Sequence, residues 1–392
     1  DPHRSLRRRR QMCIIDSYDA VRRFENLPHK PVDEIGTPEL CMLLAQDVAV
    51  YDHRDATVLL VSNALNLNGA DSGAEAAYED ALARIDTMRD SLRTHVETNP
   101  VVYSAVQRPS STARTSQTDF EASVETAIQN IIDGEIFQVV PSQRHTQATS
   151  ADPLDVYRVL RRLNPSPYMF LVRANDGDGK SIDVVGASPE TLVTVRGRHA
   201  STHPIAGSRP RGANAEEDER IKSELLADPK DRSEHLMLVD LGRNDLQKVC
   251  EPGSVIVRDF MSVVKYSHIM HVISTVSGTL KEGLSAFDAL AATFPAGTLT
   301  GAPKPRAMQL IDELEPVSRG IYGGTVGYLD FAGDLDMAIA IRTAVMKDGR
   351  AHVQAGGGVV ADSIPTMEHR ESLSKAAAAQ RAVASAETLR EQ

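Results

Sequence analysis

Strand-like segments in the second half of the chain come in groups without a helix between neighbours, and this order constrains the fold more than any other feature of the sequence. They lie at residues 184–187, 191–195, 325–331, 337–346 and 351–355. Asp348 and Gly349, between the last two segments, strongly favour a two-residue hairpin. Hairpins join antiparallel strands, whereas parallel strands need long crossover connections. The sequence therefore predicts a mixed α+β fold in which large, mainly antiparallel sheets are flanked by helices.

Helical periodicity accounts for much of the remaining sequence. Apolar residues recur at intervals of three and four, or helix start and stop signals are present, at residues 215–226, 229–241, 286–292, 302–313 and 366–387. Near the N-terminus, two strands are predicted at residues 45–51 and 57–62. A helix is predicted after them, over residues 72–97.

A polar stretch without periodicity, residues 104–117, is the best candidate for a linker. It separates an N-terminal region, residues 1–117, from a larger region, residues 118–392. A helix is predicted directly after it, because Thr118 can cap the backbone and Glu121 completes a capping box. Gly134 is predicted to end this helix, and residues 135–140 then alternate as a strand.

The composition argues against several classes of function. The formal net charge of −11 disfavours generic binding to nucleic acid or anionic lipid, but an anionic small substrate is compatible with local cations or a metal. No apolar run reaches the roughly 20 residues that cross a bilayer. Three cysteines, Cys13, Cys41 and Cys250, are too few for a disulfide framework and are typical of the reducing cytoplasm. We interpret the basic run at residues 7–10 as a solvated terminus rather than a targeting arm.

Charged residues on the C-terminal helix form one candidate site. Ser363 is the predicted cap of this helix, and Pro365 fits its first turn. Glu368, Glu371 and Lys375 then fall on one face of the helix. A solvated face with one ion pair is the alternative interpretation.

Three consecutive glycines, Gly356, Gly357 and Gly358, separate a predicted strand from this helix. Their unobstructed backbone N–H groups can bind a carboxylate or phosphate, helped by the helix dipole. A nucleotide-binding function is disfavoured, because no Gly-Lys-Ser/Thr follows and the dinucleotide spacing is missing.

A second group of carboxylates lies near the start of the predicted helix at residues 229–241. Asp231, Glu234 and His235 directly precede the apolar run at residues 236–239. Mg²⁺ is usually bound by one or two carboxylates together with waters and substrate oxygens. Glu234 and Glu371 together could therefore hold Mg²⁺, whereas the alternative for Glu234 is an ordinary helix charge.

Arg342 lies inside the predicted strand at residues 337–346, which is otherwise uncharged. Its own face would hold Ala338, Ala340 and Ala344, which leave space beside the guanidinium. Because an unpaired buried charge is costly, a carboxylate ligand bound through two hydrogen bonds would balance it. An internal salt bridge is the alternative. Together with the glycines and glutamates, Arg342 predicts a pocket for a small molecule that carries carboxylates, next to a divalent metal.

Seven segments, read in chain order, resemble the chorismate-utilising enzymes and specifically anthranilate synthase component I. They are residues 134–142 (GEIFQVVPS), 164–169 (NPSPYM), 186–190 (GASPE), 204–212 (PIAGSRPRG), 234–240 (EHLMLVD), 297–304 (GTLTGAPK) and 354–358 (QAGGG). The resemblance begins near Tyr18, and residues 1–15 look unrelated to the family. It implies the chorismate-utilising enzyme fold, with residues 118–392 as the chorismate-binding catalytic region.

The resemblance also implies a role for each candidate residue. Glu234 and Glu371 look like the Mg²⁺ ligands, with Glu368 nearby. Glu190 looks like the acid that protonates the departing C4 hydroxyl, and Thr298 and His271 line the reacting ring. We expect His271 to handle a proton, with a structural histidine as the alternative. The implied contacts with chorismate are Gly207, Ser208, Tyr322, Arg342, Gly356, Gly357, Gly358 and Lys375.

The implied reaction adds ammonia at C2 of chorismate and then eliminates pyruvate, which gives anthranilate in the first step of tryptophan biosynthesis. Related aminodeoxychorismate synthases carry an attacking lysine where Ala206 stands. Isochorismate and salicylate synthases carry a basic lysine where Gln138 stands. Neither Ala206 nor Gln138 can do this chemistry, which leaves ammonia as the nucleophile.

The sequence contains no Gly-x-Cys-x-Gly turn of the kind that would mark a glutaminase nucleophile. We therefore expect a separate glutamine amidotransferase subunit to supply the ammonia. Two alternatives stay open. One is an aminodeoxyisochorismate synthase that retains the enolpyruvyl group, and the other is an inactive scaffold that only binds an amidotransferase.

The resemblance finally implies an inhibitor site for tryptophan, one wall of which is Pro167, Tyr168 and Met169. Component I chains are usually longer at the N-terminus, and that part contributes the other wall. Feedback inhibition is therefore expected to be weakened in this N-terminally shortened sequence, and a sheet edge is expected to be exposed.

Overall fold

The computed structural model of the chain describes residues 11–66, 72–95, 101–107, 109–265 and 269–391. Its helices are a short 3₁₀ helix (Tyr18–Arg23), α1 (Ala74–Arg93), α2 (Gln117–Ile132), α3 (Pro153–Leu163), α4 (Ala215–Ala227), α5 (Pro229–Val249), α6 (Ala286–Thr293), α7 (Gly297–Thr300), α8 (Lys304–Leu314) and α9 (Pro365–Ala386). The basic run at residues 7–10 and the predicted end of the first helix at residue 97 lie outside the described residues.

The strands belong to two large sheets and three small strand pairs. They are β1 (Gln11–Asp16), β2 (Leu40–Ala45), β3 (Asp47–Asp52), β4 (Thr57–Ser62), β5 (Val101–Val102), β6 (Thr112–Ala113), β7 (Gln138–Val139), β8 (Ser142–Ala148), β9 (Tyr168–Asn175), β10 (Ser181–Ser188), β11 (Thr191–Arg196), β12 (His199–Thr202), β13 (Ile205–Pro210), β14 (Ile256–Lys265), β15 (Ile269–Thr279), β16 (Gly301–Ala302), β17 (Thr325–Asp330), β18 (Leu335–Ile339), β19 (Thr343–Lys347), β20 (Arg350–Gly356) and β21 (Arg390–Glu391).

Both large sheets are built from antiparallel strand pairs. The nine-stranded sheet has the order β13-β15-β12-β11-β18-β17-β1-β2, and β14 also pairs with β15. The six-stranded sheet has the order β6-β8-β20-β19-β10-β9. The predicted α+β fold with mainly antiparallel large sheets is confirmed.

The two large sheets pack face to face, and helices cover their outer faces. Ile15 and Val326 of the nine-stranded sheet share one apolar cluster with Ile182 and Val345 of the six-stranded sheet. α3 and α9 pack on the six-stranded sheet, while α5 and α6 pack on the nine-stranded sheet. The residues of β15 alternate between buried and more exposed positions along the strand, so that one face of the strand packs into the core.

The C-terminal hairpin forms at the predicted dipeptide. Lys347 of β19 lies opposite Arg350 of β20, so that only Asp348 and Gly349 form the turn. Both turn residues have positive φ, 48° and 70°, as a type I′ turn requires.

The strand predicted at residues 337–346 is interrupted, so the prediction that Arg342 lies within a strand is wrong. β18 ends at Ile339 in the nine-stranded sheet, and β19 begins at Thr343 in the six-stranded sheet. Arg342 lies in the crossing between them with a φ of +54°. The predicted face shared with Ala338, Ala340 and Ala344 is wrong for the same reason, since a chain that changes sheets cannot keep one alternation.

The predicted cap of α2 is wrong by two residues. Ser116, rather than Thr118, is the cap, and its hydroxyl accepts the N–H of Asp119 at 3.1 Å. Glu121 therefore does not complete a capping box. The end of α2 is confirmed, because Gly134 has a φ of +80° directly after the last turn.

The predicted cap of α9 is also wrong. The cap position is Ile364, which offers no side-chain hydrogen bond, and Pro365 occupies the first turn as predicted. The Ser363 hydroxyl instead donates to Glu368 Oε1 at 2.7 Å. Ser363 therefore orients a glutamate of the candidate site rather than the helix backbone.

The N-terminal part of the described chain is built into the main fold. β1 lies between β17 and β2, and β2 forms the edge of the nine-stranded sheet. In the candidate linker, the Ser104 and Val106 N–H groups donate to Thr388 and Ser385 at 2.8 and 2.9 Å, and β6 pairs with β8. Among the described residues, no helix combines the length and apolar character needed to span a bilayer.

Candidate active site

The glycine run brings two glutamates of α9 to the end of β20. A Cβ atom on Gly357 would lie 2.8 Å from Glu368 Oε2 and 3.6 Å from Glu371 Oε1. A Cβ atom on Gly356 would overlap the carbonyl oxygen of Pro141. The backbone can therefore approach these carboxylates closely only because side chains are missing here.

Gly358 brings a glutamate of α5 to the same turn. A Cβ atom on Gly358 would overlap the Gln138 side chain and would lie 3.8 Å from Glu234 Oε1. Gln138 Nε2 donates to Glu234 Oε1 at 3.4 Å, and burial raises the pKa of Glu234 above its ordinary value. Glu234 and Glu371, 137 residues apart in the printed sequence, therefore flank one short turn.

Lys375 lies against this turn and partly balances its negative charge. Its Nζ is 2.8 Å from Glu371 Oε1 and donates to the Gly356 carbonyl at 3.1 Å. Glu368 is 6% exposed, and burial raises its pKa. Its Oε2 atom is buried and has no hydrogen-bond partner among the described residues. The carboxylates of Glu234, Glu368 and Glu371 thus outnumber the lysines whose charges act on them, Lys375 and Lys230.

The donor set fits Mg²⁺. Among the described residues, no group of three or more histidine, cysteine or acidic side chains is arranged to hold a metal ion. Mg²⁺ does not need one, because it usually keeps several waters and takes one or two carboxylates plus substrate oxygens. The unpartnered Glu368 Oε2 and the partly desolvated Glu234 indicate that this pocket is short of positive charge.

Arg342 and Tyr322 form a second part of the site. Arg342 has no ion-pair partner within the described ranges, so the predicted alternative of an internal salt bridge is not observed. The Tyr322 side chain is buried, which raises the pKa of its hydroxyl, and the charges of Arg319 and Arg342 and the nearby Gly356 backbone oppose this rise. Burial lowers the pKa of Arg342, against the opposing influence of Tyr322 and Glu371. The crossing between the sheets therefore presents a cation beside the glycine turn.

Glu190 and Thr298 meet from distant segments. Thr298 lies in α7, and Glu190 lies in the connection between β10 and β11. The Thr298 Oγ1 donates to Glu190 Oε1 at 2.9 Å. Loss of solvation raises the pKa of Glu190 to about 7, although the Thr298 hydrogen bond and the charge of Lys375 oppose the shift. A carboxyl group with this pKa carries a proton for a large fraction of the time near neutral pH, so it can act as a general acid.

A bulge in β13 places Ser208 beside His271. The register shifts between Ala206 and Ser208, and Gly207 at the shift has a φ of +75°. Ser208 then lies opposite His271 of β15. Burial, followed by the charge of Arg342, lowers the pKa of His271, so the imidazole is neutral at pH 7 and can accept a proton.

The predicted inhibitor wall is divided between the two faces of β9. Tyr168 belongs to the inter-sheet cluster, while Met169 packs against the core on the other face of its strand. The Tyr168 hydroxyl contacts Thr191 Oγ1 at 2.8 Å and donates to Asp336 at 2.9 Å. Pro167, Tyr168 and Met169 form no recorded hydrogen bond or ion pair with the candidate catalytic side chains in the described chain.

Arg319 is a central residue that the sequence interpretation missed. Its side chain is 1% exposed, and it bonds to Glu315 and to the backbone carbonyls of Leu299 and Val140. Glu315 and Arg319 lie beyond the end of α8 at Leu314, in a segment without helical or strand periodicity. No local pattern in the sequence therefore marked this pair.

Known proteins resemble this chain over most of its length. It matches the family of chorismate binding enzymes over residues 3–381. It is 54% identical to anthranilate synthase component 1 of Mycolicibacterium smegmatis over 96% of this chain and 72% of that protein. It is 53% identical to the same component of Mycobacterium tuberculosis H37Rv over 95% and 72%. The crystal structure of anthranilate synthase component I from Streptococcus pneumoniae TIGR4 aligns with a TM-score of 0.82 and 37% identity, over 94% of this chain and 80% of that one.

The family match corrects one expectation about the N-terminus. Residues 1–15 were expected to be unrelated to the family, yet the match begins at residue 3, and β1 pairs within the nine-stranded sheet. A short strand has little distinctive sequence of its own. The position of β1 is set by its pairing with β17 and β2. The chain therefore belongs to the chorismate binding enzymes, as a relative of anthranilate synthase component 1.

Proposed function

We propose that this chain is the large subunit of an anthranilate synthase, which aminates chorismate at C2 with ammonia and then eliminates pyruvate in the first step of tryptophan biosynthesis. The convergence of Glu234 of α5 and Glu371 of α9 on the Gly357–Gly358 turn carries this proposal. A ring with two acidic groups needs compensating cations, and Arg342 lies near the same turn.

In the proposed first step, ammonia forms a bond to C2 while the C4–oxygen bond breaks. Glu190 gives its proton to the departing hydroxyl, which leaves as water. Its raised pKa and the hydrogen bond from Thr298 support this role. Ala206 and Gln138 support ammonia as the nucleophile, because neither can attack the ring or deprotonate a water.

In the proposed second step, a proton leaves C2 and the bond to the enolpyruvyl oxygen breaks, which releases pyruvate and makes the ring aromatic. We assign the proton acceptor to His271, whose lowered pKa favours the neutral imidazole. Tyr322, Arg342 and Ser208 would hold the substrate, together with Gly207, the glycine turn and Lys375.

Glu234 and Glu371 are the proposed ligands of Mg²⁺, with Glu368 beside them. When bound, this ion would act as a Lewis acid toward the ring carboxylate and would fix its orientation. The excess of negative charge around the Gly357–Gly358 turn supports this assignment.

The ammonia would come from a separate glutamine amidotransferase, since this sequence has no nucleophilic-cysteine turn for glutamine hydrolysis. The relatives are named component 1, and this name supports the existence of a second component. The three cysteines are free, which supports a location in the reducing cytoplasm.

The test mixes the purified chain with chorismate, Mg²⁺ and ammonium, and follows anthranilate fluorescence and pyruvate together. We expect equal amounts of both products, and no product from glutamine alone. Amination without pyruvate would identify an enzyme that retains the enolpyruvyl group. Normal binding of an amidotransferase without any turnover would identify an inactive scaffold, and either result would overturn the proposal.

A further inference from the structure

Arg319 is a buried cation that lies behind the candidate site rather than in it. Its Nε donates to Glu315 Oε2 at 3.0 Å, and its Nη2 donates to Glu315 Oε1 at 2.6 Å. Its Nη1 donates to the Leu299 carbonyl at 2.6 Å, and Nη2 also donates to the Val140 carbonyl at 2.6 Å. Each guanidinium nitrogen therefore has a partner, which explains how a charge is tolerated at this depth.

The Arg319 guanidinium also lies close to two aromatic rings. It lies 4.7 Å from the ring centroid of Tyr18 and 5.5 Å from that of Tyr322. These distances are within the range of cation–π attraction. The ring of Tyr322 is therefore in contact with Arg319, while the pKa of its hydroxyl is influenced by the Gly356 backbone and by the charge of Arg342 in the site.

The backbone partners of Arg319 lead to two other parts of the site. Leu299 directly follows Thr298, whose hydroxyl donates to Glu190. Val140 lies two residues after Gln138, whose side chain contacts Glu234. One side chain thus contacts the segments that carry Tyr322, Thr298 and Gln138.

Glu315 extends this network to the strand that ends in the glycine turn. Its Oε1 accepts the N–H and the hydroxyl of Ser142, each at 2.8 Å. The Ser142 hydroxyl in turn accepts from Gln354 Nε2 at 2.8 Å, two residues before Gly356. The Glu315–Arg319 pair is thereby connected to both ends of the pocket.

We propose that Arg319 is a positioning residue that fixes the distance between the substrate-holding Tyr322 and the reacting Thr298–Glu190 pair. The inference rests on the proposed function, because it assigns these groups to the two ends of one substrate. A lysine at this position keeps the charge but has one nitrogen in place of a planar fork, so it cannot hold Glu315, Leu299 and Val140 at once.

The test compares Arg319→Lys with Arg22→Lys in the full chain. Arg22 is a matched control, because its Nη2 holds Asp312 through two hydrogen bonds of 2.8 Å and its Nη1 donates to the His29 carbonyl. No hydrogen bond or ion pair in the described part of the chain joins Arg22 to Tyr322 or Leu299. The measurements are kcat and KM for chorismate with saturating ammonium, corrected for the folded fraction from thermal unfolding.

We expect Arg319→Lys to raise KM for chorismate and to lower kcat/KM by roughly 100-fold, the size of effect that a misplacement of about 1 Å produces. Arg22→Lys should lose stability while KM stays at the value of the unsubstituted protein. Lost folding alone reduces the number of active molecules, and hence the apparent kcat, but leaves KM unchanged. A raised KM therefore indicates a positioning role for Arg319, whereas a lowered apparent kcat at unchanged KM indicates a purely structural role.

Glu315→Gln is the second variant, for the case in which Arg319→Lys does not fold. It keeps the shape of the side chain but removes the charge that holds Arg319. We therefore expect KM for chorismate to rise, by less than in Arg319→Lys. If the unsubstituted protein makes anthranilate and the folded variants keep its KM, the positioning role is overturned while the proposed function stands. If the unsubstituted protein makes no anthranilate, the proposed function itself fails.

Discussion

At the scale of single residues, the site depends on groups whose chemistry is altered by burial. Glu190 would be an ordinary carboxylate in water, yet loss of solvation raises its pKa to about 7. His271 is shifted in the opposite direction, because burial disfavours its charged form. One group is thus biased toward carrying a proton and the other toward lacking one, as an acid and a base at the same pH require.

Replacing Glu190 with glutamine should remove the acid without changing the volume of the side chain. We expect kcat to fall by about 10²- to 10⁴-fold, the usual contribution of a general acid. Because the acid must be protonated, the rate of the unsubstituted protein should fall as the pH rises through about 7. The measurement is kcat between pH 6 and pH 9 at constant free ammonia.

Glu125→Gln, on the exposed part of α2, is the control for this experiment. It should keep both the rate and the pH profile. The acid role would be rejected if Glu190→Gln retained the decline of the rate above pH 7.

At the scale of elements, the glycine turn between β20 and α9 decides which side chains meet. Its backbone is closely approached by Glu368 and Glu371 on one side and by Gln138 and Glu234 on the other. The turn therefore sets the spacing between two helices that are far apart in the sequence.

Gly357→Ala should disturb this spacing, because the added methyl carbon would lie 2.8 Å from Glu368 Oε2. We expect the Mg²⁺ concentration for half-maximal activity to rise by roughly 10- to 100-fold, as changes beside metal ligands commonly cause. The measurement is a Mg²⁺ titration of anthranilate formation.

Gly177→Ala provides the matched substitution, since Gly177 has open space around its Cβ position in the turn between β9 and β10. Its Mg²⁺ requirement should not change. An unchanged Mg²⁺ requirement in Gly357→Ala would count against metal binding at this turn.

At the scale of the whole molecule, a buried acid connects the N-terminal strand to the middle of the nine-stranded sheet. Asp16, at the end of β1, is 6% exposed and accepts the N–H of Thr325 at the start of β17. Burial raises its pKa to about 7, against the opposing effect of the hydrogen bonds from Thr325.

This raised pKa makes stability depend on pH. Between about pH 4 and pH 7 the folded state binds more protons at Asp16 than the unfolded state, so the Asp16 contribution to the free energy of unfolding falls as the pH rises. Asp16→Asn removes the ionisation but keeps an oxygen for Thr325. We expect the stability gained by the variant to grow between pH 5 and pH 8, by at most about 1.4 kcal/mol for each pH unit up to about pH 7 and not beyond it.

Urea unfolding at the two pH values measures the difference, with Asp178→Asn in an exposed turn as the reference. A stability difference between Asp16→Asn and the unsubstituted protein that is the same at pH 5 and pH 8 would contradict the prediction.

The sequence by itself determined the period of many elements and the places where only certain residues fit. The Asp348–Gly349 hairpin and the end of α2 at Gly134 were predictable, because turn geometry depends on a few neighbouring residues. The family resemblance was also carried by short contiguous segments. These features survive in the fold because local backbone preferences and tertiary packing agree there.

Only the tertiary structure decided which sheet each strand joins and how strongly each charge is desolvated. The alternation around Arg342 was misread because the chain leaves one sheet and enters the other within three residues, a choice made by distant hydrogen-bonding partners. The pKa values of Glu190 and Asp16 and the partners of Arg319 depend on residues far away in the sequence. Desolvation is a property of everything that surrounds a group, so no local pattern can specify it.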